Sequence, residues 1–429
     1  MTSSAAIGGI KNLVHSVVQL GIGEAVSRAG SFLFLAYISR RLGIEMLGII
    51  ALSQTVAMYV MLGTDQGLRL AGSRLVARNG KSAPFVIPQV LLKRLLSCAV
   101  CVGLGSAYAL LGPVPQSARF YVLGFVLGVI PYAFSLDWLA WGLDKFAWLG
   151  VFRGGVTVVF VVGAIAGMMV THATLLPITV ANGAAAAMGA LALWLVWRLR
   201  WRPKVVTGPA ALENIAHKEL YWLTVLPLGI ATILNQAFHN FDTILLGSMS
   251  TVAEVGRYNS AYRILFLVLG AYWLVTNSLY PKLSRAKAGP GVQNFILGLV
   301  LVVAGFGALI AAVIGVFAPS ILRIIYGSDL AATALLRVLV VAIPMDSCTA
   351  LLSTMFISRG FDRTVLAATG SAAVLNILLN LLMIPKLGGM GSAIATLVSY
   401  AYLLVFLIQR MARKQIFAVD VVPVAAGAL

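Results

Sequence analysis

Acidic residues are scarce in this 429-residue chain: 13 Asp and Glu stand against 31 Lys and Arg, and charged residues make up only 10%. A soluble globular domain carries about 25% charged residues, so this composition excludes one. Cysteine is nearly absent, at Cys98, Cys101 and Cys348, and there are four histidines. An odd set of thiols without partner ligands excludes a disulfide framework and a zinc site, and small apolar packing is their expected role. Also missing are a GxxxxGK[ST] nucleotide loop, an HExxH helix and a GxSxG elbow. These absences remove an ATP-driven pump, zinc hydrolysis and serine hydrolysis from this chain. No catalytic residue, metal or cofactor is expected, and the chain is not expected to be an enzyme.

Hydrophobicity is what the chain has in abundance, with 60% apolar residues and a mean hydropathy of +0.97. Crossing roughly 30 Å of hydrocarbon takes about 20 helical residues. Windows of that length fall near residues 14–38, 44–66, 92–111, 118–141, 149–170 and 173–197, and then 219–248, 257–281, 293–318, 331–357, 363–384 and 389–410. The expected fold class is therefore an all-α integral membrane protein of twelve transmembrane helices. The first window carries Glu24 and Arg28 and no small-residue cleavage site follows it, so it is expected to stay as a helix.

Of the 31 basic residues, 22 fall in alternate connections and at the ends, among them Lys93, Arg94, Lys145 and Arg153. Only Arg40, Arg41, Arg119, Arg257, Arg323 and Lys386 fall in the opposite connections. The positive-inside rule then places both termini in the cytoplasm. The net charge of +18 marks a surface facing anionic membrane lipids, and no nucleic-acid partner is expected.

The longest polar stretch, 198–218, contains Pro203, Gly208 and Pro209 and divides the chain into lobes 1–197 and 219–429. The halves echo each other. Ile130 and Pro131 precede Gly142, Asp144 and Lys145, as Ile343 and Pro344 precede Gly360, Asp362 and Arg363, and Glu45 and Gly48 correspond to Glu254 and Gly256. Six spans per half give both halves the same orientation, so two pseudo-symmetric six-helix bundles are expected, with a substrate path at the repeat interface. Pro131, Pro227 and Pro344 interrupt helical hydrogen bonding and can bend their spans.

Several ionisable residues stand where lipid would penalise them by about 2.5–3.5 kcal/mol each: Glu24, Arg28, Asp137, Asp242, Arg263, Arg337 and Asp346. Such groups are expected to face a hydrated cavity. Glu24 and Arg28 share one helical face in the favourable order for an ion pair. They either neutralise each other, or Arg28 engages a phosphate or acidic sugar through its planar fork while Glu24 holds it or takes up a proton. Asn235, His239 and Asp242 share another face, which forms a cavity wall, a hydrogen-bond network or, through His239, a proton relay. Arg263 either pairs with Asp242 or meets substrate.

Ordered segments then resemble a family: SRRLGIEMLGIIAL (Ser39–Leu52), DWLAWGLDKF (Asp137–Phe146), FDTILLG (Phe241–Gly247), EVGRYNSAYRI (Glu254–Ile264), YPKLSR (Tyr280–Arg285) and NILLNLLMIPKLGGMGSAIAT (Asn376–Thr396). Together they are similar to bacterial polysaccharide and O-antigen flippases, the lipid-linked oligosaccharide exporters of the superfamily that includes the MATE multidrug exporters. The resemblance implies a MATE-like fold in the bacterial inner membrane. It also implies a carrier that flips undecaprenyl-diphosphate-linked repeat units by alternating access through a cationic interlobe cleft. Its implied partners are the lipid-linked oligosaccharide, membrane lipids, and polysaccharide polymerase and chain-length proteins. The substrate-binding candidates are Glu24, Arg28, Asp137, Asp242 and Arg263; the candidates for proton or ion coupling are Glu24, His239, Asp242 and Asp346. A MATE-type cation-coupled drug exporter is the alternative, and an accessory scaffold of a polysaccharide assembly complex is a third.

Overall fold

The structure is a computed structural model that describes residues 3–78, 80, 83–172, 174–201, 220, 222–285, 290–327 and 331–413. Of the expected linker, residues 202–218 lie outside the described residues, as do Lys81, Arg202, Lys204, Lys218, Lys287 and Lys414.

All regular structure among the described residues is helical. The helices run in the order α1 (Ser3–Leu42), α2 (Ile44–Asp65), α3 (Leu68–Arg78), α4 (Ala83–Leu111), α5 (Gln116–Leu127), α6 (Ile130–Ala133), α7 (Asp137–Gly142), α8 (Phe146–Thr171) and α9 (Leu175–Val196). They continue as α10 (Trp222–Met249), α11 (Val252–Arg285), α12 (Pro290–Tyr326), α13 (Ala332–Leu339), α14 (Ala342–Ser358), α15 (Asp362–Leu387) and α16 (Gly389–Arg413). Among the described residues, eight segments are long and apolar enough to cross a membrane. Leu104, Leu111, Val170 and Leu301 stand exposed on their surfaces, as helices meeting lipid require.

Three expectations need correction. The third span begins at Ala83, not near residue 92, so Arg94 is no loop residue: it lies within α4 and is fully buried. A hydropathy window ends at such a charge because it prices the guanidinium as if it met lipid, whereas here internal carboxylates neutralise it. Arg153, counted with the loop cations, likewise lies within α8. The fourth span is also not one helix. It breaks into α5, α6 and α7, with Pro131 in the short central piece.

The chain folds as two compact units, the first comprising Met1–Ile38 and Ile49–Ile233, the second Ser39–Gly48 and Leu234–Leu429. In lipid there is no hydrophobic drive between helices, so close packing of small residues and internal polar contacts must hold each unit together. In the first unit α3 is amphipathic. Leu68, Ala71, Leu75 and Val76 face inward onto Val86 and Val90 of α4 and Trp138 of α7, while Arg69, Arg74 and Arg78 stay exposed. A Cβ at Gly72 would come within 2.9 Å of the Trp138 ring, which is why this crossing uses glycine. Helices α1 and α8 meet more closely still: a Cβ on Gly23 would lie 2.1 Å from the Gly150 carbonyl oxygen. Phe34 and Phe160 extend the same contact, edge to face at 4.9 Å.

The second unit packs around α11, whose Tyr258, Ala261 and Leu265 are fully buried together with Ile343, Leu351 and Phe356 of α14 and Ala393 and Ala395 of α16. The connection between α1 and α2 belongs to this unit. Arg40 donates to the carbonyl of Ile324 and, at 3.2 Å, to that of Ile325, while Ser39 donates to that of Tyr326 at 3.3 Å. These side chains satisfy carbonyls that the end of α12 leaves without helical partners. The echoing residues Gly48 and Gly256 touch reciprocally: a Cβ on Gly48 would lie 1.9 Å from the Val252 oxygen, and one on Gly256 2.1 Å from the Ile44 oxygen.

Candidate functional site

The break in the fourth span frees backbone carbonyls inside the first unit, and side chains from other helices satisfy them. Trp194 of α9 donates its indole N–H to the Phe134 carbonyl at 2.8 Å, and Arg94 of α4 donates to the Ser135 carbonyl at 2.9 Å. Interrupted backbone at membrane depth is tolerated where protein or a cavity replaces the lost bonds. Here it borders a cavity of about 530 Å³ lined by α1, α2, α3, α5, α6, α7, α8 and α9.

Arg94 organises one side of this region. Its Nε and Nη2 donate to Asp65 Oδ1 at 3.2 and 2.5 Å, its Nη1 stands 3.7 Å from Asp137 Oδ1, and its guanidinium lies 5.0 Å from the centre of the Tyr132 ring. Asp65 is the last residue of α2, the negative end of a helix dipole and a poor place for a carboxylate. The arginine compensates it. Asp137 opens α7 and lines the cavity, and its Oδ1 accepts no hydrogen bond among the described residues.

A second charged group lies across the α1–α8 contact. Glu24 holds two arginines at once: Arg28 Nε donates to Oε1 at 3.0 Å, and Arg153 Nη1 donates to Oε2 at 3.0 Å. The Ser27 and Thr157 hydroxyls pair at 2.7 Å beside them. Glu24, Ser27, Arg153 and Thr157 line the cavity, as do Gln54, Arg69, Tyr132 and Asn182, whereas Arg28 stands outside the lining. The lining therefore carries two guanidinium groups and two carboxylates with amides and hydroxyls between them, against walls such as Met58, Met61, Phe125 and Val156. Such a surface suits a ligand with both anionic and hydroxyl-rich parts, and the volume falls within the roughly 300–1,000 Å³ common for ligand sites.

The remaining candidates are in the second unit. Asp242 is 3% exposed. Its Oδ1 accepts from the Thr243 N–H at 2.7 Å and its Oδ2 from the Tyr258 hydroxyl, which also meets Thr396 Oγ1 at 3.2 Å. Among the described residues the donors to the Asp242 carboxylate are the Thr243 N–H and the Tyr258 hydroxyl, not the Arg263 guanidinium of the expected alternative. His239 Nδ1 lies 3.4 Å from the Tyr400 hydroxyl. Asp346 is half-buried in α14. Neither unit holds all the expected site residues: Glu24, Arg28 and Asp137 fall in the first, and His239, Asp242, Arg263 and Asp346 in the second. Sequence reasoning passed over Asp65, Arg69, Arg94 and Arg153 as site residues. The signal available was an arginine just inside each of two apolar windows.

The comparisons with known proteins agree with this architecture. Residues 13–287 match the family model described as "Polysaccharide biosynthesis protein". A "Putative O-antigen transporter" of Escherichia coli is 23% identical over 305 residues, 68% of either chain. A "Probable low-salt glycan biosynthesis flippase" of Haloferax volcanii is 21% identical over 424 residues, 91% of this chain and 81% of its own. Among solved structures, an inward-facing MATE family multidrug transporter of the MOP superfamily superposes with a TM-score of 0.69 at 16% identity, covering 92% of this chain and 98% of its own. The lipid II flippase MurJ in its inward closed conformation gives 0.64 at 14%, covering 92% and 87%. The fold is that of the MOP transporters, and with well over half its length matched, this chain belongs to the polysaccharide biosynthesis protein family.

Proposed function

We propose that the protein flips lipid-linked oligosaccharide repeat units, carried on undecaprenyl diphosphate, across the bacterial inner membrane for assembly of a surface polysaccharide. In this reading the chain crosses the membrane twelve times with both termini in the cytoplasm, as two parallel six-helix lobes, 1–197 and 219–429, joined by the polar stretch 198–218. It works by alternating access and is a carrier, with no covalent chemistry of its own. The names of its relatives, an O-antigen transporter and a glycan biosynthesis flippase, support this reading.

One observation carries it furthest: a cavity within the first unit that combines Arg69 and Arg153 with Gln54, Asn182, Ser27 and Thr157. Arginine binds phosphate oxygens in a bidentate manner, while amides, hydroxyls and carboxylates serve sugar hydroxyls. Arg28 and Arg153 receive the diphosphate, Glu24 and Asp137 border the path, and Asp242, Arg263, His239 and Asp346 act in the second unit as substrate or coupling groups. Polymerase and chain-length proteins receive the repeat unit outside.

Deletion of the gene tests the proposal. The expected result is loss of surface polysaccharide, rescued by the intact chain and not by Arg153→Ala at equal membrane levels. Unchanged glycan with altered drug susceptibility would instead establish a drug exporter.

A further inference from the structure

Glu24 is one carboxylate serving two guanidinium groups. Each oxygen takes one arginine, Oε1 from Arg28 on its own helix and Oε2 from Arg153 on α8, both at 3.0 Å. Among the described residues no second carboxylate lies within 4.0 Å of either arginine, so the cluster keeps a net positive charge. Each guanidinium spends a single one of its five N–H donors on Glu24. The unused donors are what a phosphate group would need.

All three side chains are partly exposed, at 37% for Glu24, 47% for Arg28 and 30% for Arg153, and Glu24 and Arg153 form part of the cavity wall. Where such a cavity wall is open to water, the Glu24–Arg153 ion pair is weak and can be exchanged for another anion. The helices beneath it are in close contact, because Gly23 and Gly150, the neighbour of Glu24 and a residue one turn before Arg153, meet backbone to backbone. Two positive arms, one on each helix, therefore flank a displaceable carboxylate.

We infer that Glu24 is a resident counter-anion that occupies the phosphate position of an empty carrier and competes with the diphosphate of the substrate for Arg28 and Arg153. The inference rests on the reading of the protein as a carrier of diphosphate-linked glycans, and it assigns Glu24 a role opposite to that of a substrate contact. An incoming diphosphate displaces the carboxylate, and the returning carboxylate expels the diphosphate on the far side. Binding energy that would otherwise trap the substrate is cancelled by this exchange. The arms hold an anion whether the carrier is loaded or empty.

The experiment measures equilibrium binding of farnesyl diphosphate, with inorganic pyrophosphate alongside, to the purified full-length chain in lipid nanodiscs. Glu24→Gln keeps the shape and removes the competing charge, so it should bind the diphosphate about three- to tenfold more tightly than wild type. Arg153→Ala, alone or combined with Glu24→Gln, should bind more weakly. In cells Glu24→Gln should reduce surface polysaccharide despite its tighter binding, a combination that loss of a merely structural ion pair would not give. Glu24→Ala provides the same comparison if the glutamine variant does not fold. Unchanged or weaker binding by a folded Glu24 variant, with wild type still binding diphosphate, would overturn the counter-anion role and leave the carrier reading in place. Absence of diphosphate binding in wild type and variants alike would overturn both.

Discussion

Arg153 and Glu24 are 129 residues apart in the chain, and their side chains meet at 3.0 Å. The contact joins α1 to α8 at the wall of the cavity, so it reports both on packing and on the site. Arg153→Lys keeps the charge but loses the planar fork, and should restore only part of the surface polysaccharide that Arg153→Ala loses. Quantifying cell-surface glycan at matched membrane levels checks this.

The buried cluster around Arg94 gives a second prediction. Removing one partner from a buried ion group leaves an uncompensated charge and costs about 3–5 kcal/mol. Arg94→Met should therefore lower the thermal unfolding temperature of the purified protein sharply. Adding Asp65→Asn and Asp137→Asn to it should recover much of the loss, because no carboxylate is then left unneutralised.

Glycine at the α1–α8 contact is required by distance. Gly23→Ala places a methyl group against the Gly150 carbonyl, which α8 cannot withdraw without moving. Gly155, five residues on from Gly150 along α8, has nothing within 4 Å of a Cβ. Gly23→Ala should reduce both stability and glycan export, whereas Gly155→Ala should leave both intact, as thermal melts and surface glycan will show.

The all-helical, membrane-type character of the fold was legible because apolar windows of membrane length are a physical constraint. Most described residues of each expected window are helical, with breaks at 128–129, 134–136 and 340–341. The errors fall where tertiary neutralisation overrides local cost. Arg94 reads as the edge of a span only while Asp65 and Asp137 are unseen, and their sequence separations of 29 and 43 residues hide the cluster. The pairing of Glu24 with Arg28 is legible from a spacing of four, whereas the Arg153 arm is not, because helix–helix contact through Gly23 and Gly150 creates it. The division of span four into α5, α6 and α7 was signalled only by Pro131; the side chains that make the break tolerable, Trp194 and Arg94, come from other helices.

In the second unit, Tyr258→Phe leaves Asp242 Oδ2 without the hydroxyl that donates to it. A buried acceptor stripped of its donor costs about 1–3 kcal/mol. The variant should unfold at a lower temperature, and Tyr258→Phe combined with Asp242→Ala should be less than additive, a coupling that a double-mutant cycle on thermal unfolding measures.

Reconstituted flipping tests the central claim most directly. Proteoliposomes carrying a polyprenyl-diphosphate-linked oligosaccharide on the inner leaflet would be probed with an impermeant glycan-modifying enzyme outside. The account predicts that wild type makes the glycan accessible and that Arg153→Ala, in a folded and correctly inserted chain, does not. No exposure of glycan by wild type, or equal exposure by both proteins, would contradict it.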